Sequence, residues 1–521
     1  MSESEKLKAM VEASFAFQGT SIVLGTARLG EEILENTLIK APLKTFNRHG
    51  LIAGATGTGK TKTLQNLAEK LSANGVPTLL MDIKGDLSGI SQPGTPNPKV
   101  AERHAKIGVE WQAKGFPTEL LSISGEKGVR MRATISEFGP VLLSKILELN
   151  DVQSGVVSMI FKFCDDRKMP LLDIKDFRKI CQYLQTDEGK KEMEKDYGLV
   201  SSSSVGAIMR NILEVEQQGA DVFFGERSFD VNDLLRTDSN GNGYCNILRL
   251  TDIQSKPALF STFMLCLLAE IYETFPEQGD QDKPKLCIFI DEAHLIFKEA
   301  SKSLLSQITT IVKLIRSKGV GLFFITQDPT DVPEEVLGQL GMKMQHALRA
   351  FTEKDRKAIK TIAENFPPSE FYKTSDLLTA LGIGEALVTV LNEKGIPTPL
   401  VHTYLTAPQS RMDVITAEEQ DALISKSPLV RLYNEAIDRD SAFEMLTRKL
   451  EGIAEADEKE KEEQTRETDE AEPKRRAGEK STVEKVLNSS VTRTIVREVA
   501  RGLLGVLGIK SSTRRKTNSW F

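Results

Sequence analysis

Gly54-Ala55-Thr56-Gly57-Thr58-Gly59-Lys60-Thr61 sets two glycines five residues apart, with a Lys-Thr pair directly after the second. Residues of these types at this spacing bind phosphate. The glycines let backbone N–H groups close around phosphate oxygens, and a helix opening at Lys60 points its positive end at the same charge. The Lys60 ammonium suits the β- and γ-phosphates of ATP, and the Thr61 hydroxyl suits Mg²⁺. Thr63, two residues on, is counted with the loop as a nucleotide contact. From average composition about 0.02 such matches are expected in a chain of this length, so chance is a poor explanation. An apolar run also enters the loop and a helical pattern leaves it.

Such a loop needs an acidic partner at a strand end. Asp291 follows the apolar run Leu286–Ile290 and is expected to hold the metal. Glu292, one residue on, can take a proton from an attacking water or orient it. His294 reads as a helix-start residue packed nearby. Gln327 closes the run "GLFFIT", where an amide can sense the γ-phosphate or hold water, because ligands of open α/β sheets bind at the carboxyl edge. Asp82 ends "PTLLM" in the same way. Ordinary strand-end capping is the competing reading for both.

The elements that must position these groups follow from periodicity. "PTLLMDI", "YCNILRL", "LCIFI", "GVGLFFIT" and "QHALRAF" read as strands, and "EALVTVLNEKGIPTPLVHTYL" as a hairpin turning at Asn392–Gly395. "KTKTLQNLAEKLSANG", "PALFSTFMLCLLAEIY" and "SLLSQITTIVKLIRS" read as helices, and Phe138–Gly219 as helical almost throughout. Continuous apolar strands alternating with helices predict an α/β fold with a mostly parallel sheet covered on both faces. Residues 1–48 are a preface, 49–410 the main domain with a helical insertion at about 100–240, and 411–454 a helical segment. In 455–480, 18 of 26 residues are charged, which predicts a solvated linker or exposed helix. The basic, amphipathic stretch 481–521 forms a tail.

Net charge is −6, so no global field attracts nucleic acid, and any such binding needs a local patch. No base-reading motif and no interleaving of aromatic and basic residues stands out. Cys164, Cys181, Cys245, Cys266 and Cys287 show no metal-site spacing and read as buried thiols of a reducing compartment. With no signal peptide and no run long enough for a membrane span, a cytoplasmic protein is expected.

Asp291-Glu292-Ala293-His294 spells the name of a helicase class, but Asp291 lies 231 residues after Lys60, much further than in that class. No second motor domain with its Q-x-x-G-R motif follows either. The surrounding segments resemble a different family. "NRHGLIAGATGTGKTKTLQ", "DIKGDLSGI", "IDEAHLIF", "LIRSKGVGLFFITQDPTDVP", "QLGMKMQHALRAFT" and "LGIGEALVTVLNEKGIPTP" are similar to the bacterial YjgR-type proteins, relatives of the HerA and FtsK motors, over nearly the whole chain. The resemblance implies a RecA-like core, ATP hydrolysis with Mg²⁺ and a homo-oligomeric, hexameric ring. It also implies an arginine reaching into a neighbour's site: Arg316 matches that position, and Arg349 is a second candidate. HerA motors generally carry an N-terminal β-barrel that docks a nuclease. The roughly 50 residues before the loop are too few for it, which argues against a nuclease partner.

Three functions stay open on the sequence. One is a ring motor translocating double-stranded DNA, another an ATPase remodelling a protein or membrane-associated complex, and the third a nucleotide-gated scaffold. From Lys485 to Phe521 there are eight Lys/Arg and one acid. This tail, with Gly502, Gly505 and Gly508 at spacing three, suits a membrane surface, a phosphate-bearing polymer, a protein partner or its own ring.

Overall fold

The computed structural model describes residues 1–252, 256–279, 281–299, 302–435, 437 and 439–470. The expectations for 471–480 and the tail 481–521 lie outside the described residues. Contacts divide the chain at Leu450. The part up to Leu450 holds all the strands discussed here, and the part beyond begins within the helix Ala442–Glu470.

Among the described residues twelve strands form a single sheet. In chain order they are β1 (Ser21–Leu29), β2 (Glu32–Pro42), β3 (Gly50–Ala53), β4 (Thr78–Asp82), β5 (Thr118–Ser122), β6 (Val129–Arg130), β7 (Cys245–Arg249), β8 (Leu286–Ile290), β9 (Val320–Thr326), β10 (Met342–Gln345), β11 (Glu385–Thr389) and β12 (Val401–Leu405). Their spatial order is β2-β1-β12-β11-β10-β3-β9-β8-β4-β7-β5-β6. From β10 to β6 the neighbours run parallel, whereas β11, β12, β1 and β2 pair antiparallel.

Both faces of the parallel block are covered, which is why its central strands β8 and β9 read as near-continuous apolar runs. All five residues of β8 and all seven of β9 are buried. Side chains alternate between two cores. Leu286, Ile288 and Ile290 face one side with Leu322 and Phe324. Phe289, Phe323 and Ile325 face the other, with Leu64, Leu67 and Leu71 of the helix Lys60–Ala73, and there Phe289 stacks on Phe323 with centroids 4.8 Å apart.

The first side also carries the helix Pro257–Thr274 and a helical bundle: Ile135–Ile146, Asp151–Asp166, Ile174–Tyr183, Asp187–Tyr197 and Ser202–Val215. Each helix of the bundle has a side-chain N-cap, Thr134, Asn150, Asp173, Thr186 and Ser201 in turn. Such caps are typically worth about 1 kcal/mol each. The interval 100–240 is not helical throughout, since β5 and β6 within it extend the sheet next to β7. The first 48 residues likewise give β1 and β2, and β1 pairs with β12.

One strand differs from its expected position. "QHALRAF" is not a strand: β10 is Met342–Gln345, and the chain from His346 to Phe351 has no ladder. The cause lies in β10's neighbour. β3 ends at Ala53, where the glycine loop turns away, and the backbone groups past Gln345 bond elsewhere. His346 N–H donates to Ala53 O at 2.7 Å and Leu348 N–H to Leu378 O at 2.8 Å, while Ala347 O accepts from Ala55 N–H at 2.8 Å.

His49, just before β3, ties the entry of the sheet together. It is buried and holds a left-handed backbone (φ 60°). Its Nδ1 accepts from Leu322 N–H at 3.0 Å, so its proton sits on Nε2, which donates to Val312 O at 2.9 Å. Burial, with Arg316 nearby, pushes its pKa down to about 4. The neutral ring therefore stabilises the fold fully above the unfolded-state pKa near 6.5. That contribution is lost as pH falls from 6.5 through about 4, in total on the order of 3 kcal/mol. Chemical denaturation between pH 7 and pH 4 should show the loss. His49→Asn does not titrate in this range, so its pH dependence should be visibly flatter; an unchanged slope would exclude His49 as its source.

Candidate active site

The register brings the candidate residues to one edge. Ala53 lies opposite Thr326, Ile290 opposite Phe324, and Met81 opposite Ile290. The chain therefore leaves β3, β9, β8 and β4 on the same carboxyl side, as Gly54, Gln327, Asp291 and the loop after Asp82.

The loop can close only with glycine at its ends. Gly54 has φ +150°, and a Cβ there would lie 2.5 Å from His346 Cβ; Gly59, with φ +111°, caps the helix Lys60–Ala73. Inside the turn Thr58 Oγ1 donates to Ala55 O at 2.7 Å. Lys60 is buried, and its Nζ donates to Gly54 O at 2.6 Å and Ala55 O at 3.1 Å. Burial and the charge of Lys84 lower its pKa, against the pull of Glu292 and Asp291. Thr61 and Thr63 stand in the first turn of the helix. Thr63 Oγ1 meets His346 Nε2 at 3.0 Å, and burial and the Lys60 charge hold His346 neutral, its pKa near 4.

Asp291 and Glu292 are both buried. Glu292 takes a left-handed backbone (φ 48°), and its N–H donates to Asp291 Oδ1 at 2.9 Å. Burial drives the Asp291 pKa up to about 6, with Lys84 opposing and Glu292 adding to the rise. Burial acts on Glu292 too, but the Lys84 ammonium, the Gln327 amide and His294 outweigh it and hold Glu292 below its ordinary range. Lys84 Nζ sits 2.5 Å from Glu292 Oε1 and 3.9 Å from Asp291 Oδ2.

Gln327 joins the acid pair to the loop. Its Nε2 donates to Glu292 Oε1 at 3.4 Å, and its Oε1 accepts from Thr56 Oγ1 at 3.1 Å. A continuous polar line thus runs Thr56–Gln327–Glu292–Lys84. His294 opens the helix His294–Glu299, with Nδ1 3.3 Å from Glu292 Oε2. Asp82 is a strand-end cap: its carboxylate accepts from the N–H groups of Gly85, Asp86 and Leu87 at 2.8–3.1 Å. That cap folds the turn that carries Lys84 to the acids.

Lys84 and His346 were not read from the sequence. Lys84 stands in "DIKGD", a polar cluster ending a buried strand, which is a legible signal; for His346 a single sequence offers none. Arg316 is not with the others. It is exposed in the turn Ile315–Lys318 ahead of β9, at the amino edge of the sheet, in a cleft of about 480 Å³ shared with Arg48 and Lys343. Arg349 is exposed on the carboxyl side, three residues beyond His346.

The arrangement suits Mg²⁺ with a triphosphate. Two adjacent buried carboxylates face one partly exposed lysine, Glu292 Oε2 accepts no hydrogen bond from the described residues, and Asp291 with the Thr61 hydroxyl offers the hard oxygen donors that Mg²⁺ prefers.

Residues 28–514 match the family model described as helicase HerA-like C-terminal. The DNA double-strand break repair helicase HerA of Sulfolobus acidocaldarius is 22% identical over 377 residues, 72% of this chain and 68% of that protein. Its namesake from Saccharolobus solfataricus is 23% identical over 369 residues, 70% of this chain and 66% of that protein. The chain thus spans about two thirds of those relatives' length. Among solved structures, the plasmid coupling protein TrwB in complex with the GTP analogue GDPNP aligns with a TM-score of 0.50 at 14% identity, covering 77% of this chain and 99% of that one. This likeness is one of fold, a RecA-like α/β core.

The Lys84–Glu292 contact can be tested by coupling. Lys84→Met leaves the acids without their cation and should lower the melting temperature by a few degrees. Adding Glu292→Gln removes the stranded charge and should recover most of the loss. Additive losses in the double variant would show that the two side chains do not interact.

Proposed function

The chain belongs to the HerA-like helicase C-terminal family, and from that premise we propose that it hydrolyses ATP with Mg²⁺ as a cytoplasmic ring motor acting on DNA. The observation that carries this reading is the line Thr56–Gln327–Glu292, a continuous polar connection between the phosphate loop and a carboxylate at the next strand but one. A reporter of the γ-phosphate and a base for water have to be adjacent, and here they share a hydrogen bond.

In this reading the N–H groups of Gly57, Thr58, Gly59 and Lys60 cradle the phosphates, and Lys60 swings its ammonium from the loop carbonyls to the β- and γ-oxygens. Thr61 and Asp291 hold Mg²⁺, which when bound offsets charge developing on the phosphates. Glu292, ionised below its ordinary range, draws the proton from water, and Gln327 fixes its orientation. The charge on the transferring phosphoryl also calls for an arginine. Arg316, at the amino edge, supplies it to the next subunit, so the working form is a closed homo-oligomer, a hexamer by family resemblance. DNA enters as the substrate through the relatives named above; remodelling of a protein complex is the alternative.

Two variants separate the steps. Lys60→Ala should abolish nucleotide binding, measured with a fluorescent ATP analogue. Glu292→Gln should keep that binding and lose at least about 10²-fold in turnover. Wild-type turnover in Glu292→Gln would place the base elsewhere.

Subunit mixing tests the arginine, a group worth about 10³–10⁵ in rate. Arg316→Ala and Lys60→Ala should each be inactive alone. Mixed rings should regain part of the activity, because some interfaces join an intact loop to an intact arginine. Full activity of Arg316→Ala alone, or no recovery in rings shown to exchange subunits, would remove Arg316 from the site.

A further inference from the structure

The segment expected to be a strand turns out to carry an exposed surface of unusual character. Past His346 the chain presents Arg349 and Phe351 and enters the helix Glu353–Glu364. Ile359 and Ile362 of that helix are buried with Leu378 and Leu381. This fixes its outer face, where Lys354, Arg356, Lys357 and Lys360 are exposed. Residues 349–360 contain five Lys/Arg and two acids in a chain of net charge −6. The two acids are already engaged. Asp355 accepts from the N–H groups of Phe351 and Thr352 at 2.9 and 2.8 Å, and Glu353 pairs with Lys357 at 2.8 Å. Among the described residues Arg349, Lys354, Arg356 and Lys360 are in no ion pair. Phe351 is 84% exposed, with its backbone held by Asp355. An exposed ring among unpaired cations matches a polymer that offers both phosphates and flat bases.

The same segment is bonded to the phosphate loop. His346 N–H donates to Ala53 O, Ala347 O accepts from Ala55 N–H, and His346 Nε2 meets Thr63 Oγ1. Arg349 follows two residues after Ala347, so a change in the loop reaches this surface through two backbone hydrogen bonds.

The geometry points to Arg349–Lys360 as a nucleic-acid grip, its cations on backbone phosphates and Phe351 against a base or sugar face, with its position set by the phosphate loop. The proposal rests on the DNA reading above for the identity of its partner. It makes the loop–grip link the path by which the nucleotide state alters hold on the strand.

The test uses the full-length chain and fluorescence anisotropy with a duplex and a single strand of about 30 nucleotides, titrated over a range of salt. Lys354→Glu/Arg356→Glu/Lys360→Glu should weaken binding by about 10-fold or more near 0.1 M salt. It should also reduce the slope of log affinity against log salt by about 2–3, with ATP binding unchanged. Phe351→Ala should weaken single-strand binding more than duplex binding. If the glutamate variant does not fold, Lys354→Gln/Arg356→Gln/Lys360→Gln should give the same reduction in slope with a smaller loss of affinity. Wild-type affinity and slope in the triple variant would overturn the grip and leave the DNA reading standing. A wild-type protein that binds neither probe at low salt would overturn both. Displacement of the probes by polyglutamate as readily as by unlabelled DNA would overturn the nucleic-acid assignment in favour of an acidic protein surface.

Discussion

Two carboxylates on consecutive residues, buried at the end of a core strand, cannot both ionise without positive charge beside them. Asp291 and Glu292 are in that position, and the surrounding structure meets the requirement from several elements at once. β4 contributes Lys84 through a turn that Asp82 caps. β9, between the loop strand and the acid strand, brings Gln327 to the gap. The loop strand β3 places Lys60 within the field of the pair. The strand order is what makes this possible. With β9 inserted between β3 and β8, an amide can reach both the loop and Glu292, which are one strand spacing away on either side.

The phosphate loop and the acid pair were legible in the sequence because each is local, a fixed spacing of residue types on an apolar run. So were the central strands β4, β7, β8 and β9 of the parallel block, whose apolar runs are buried on both faces, whereas β5 and β6 were not. What escaped depends on contacts between residues far apart in the chain. Lys84 acquires its partner Glu292 from a strand more than 200 residues later. "QHALRAF" reads as a strand, but past Gln345 its backbone bonds to Ala53, Ala55 and Leu378 in place of a ladder. From its end onward, in R-A-F-T-E-K-D-R-K-A-I-K, one aromatic residue, Phe351, stands among five basic ones. The hairpin β1–β2 is hidden in the sequence for a related reason: its place beside β12 is set by pairing across more than 370 residues.

His346 and His49 mark the two ends of the loop strand, and each is held as a neutral ring by burial. His49 fastens the strand's entry to β9 and to the helix Lys302–Leu314, whereas His346 sits under Gly54 and contacts Thr63. Neither makes contact by charge, so these links do not depend on salt. They join the site to rigid neighbours on one side and, on the other, to the basic segment that begins at Arg349. A short path of backbone hydrogen bonds thus joins the phosphate loop to an exposed cationic surface.

On the proposed function, the carboxyl edge is an ATPase site whose cycle is coupled to a bound DNA strand. Steady-state ATP turnover by the purified wild-type protein with Mg²⁺, measured with and without duplex DNA, tests it most directly. The expected result is Mg²⁺-dependent hydrolysis that rises when DNA is added. Hydrolysis that is absent, or present and indifferent to DNA under conditions where DNA is bound, would contradict it.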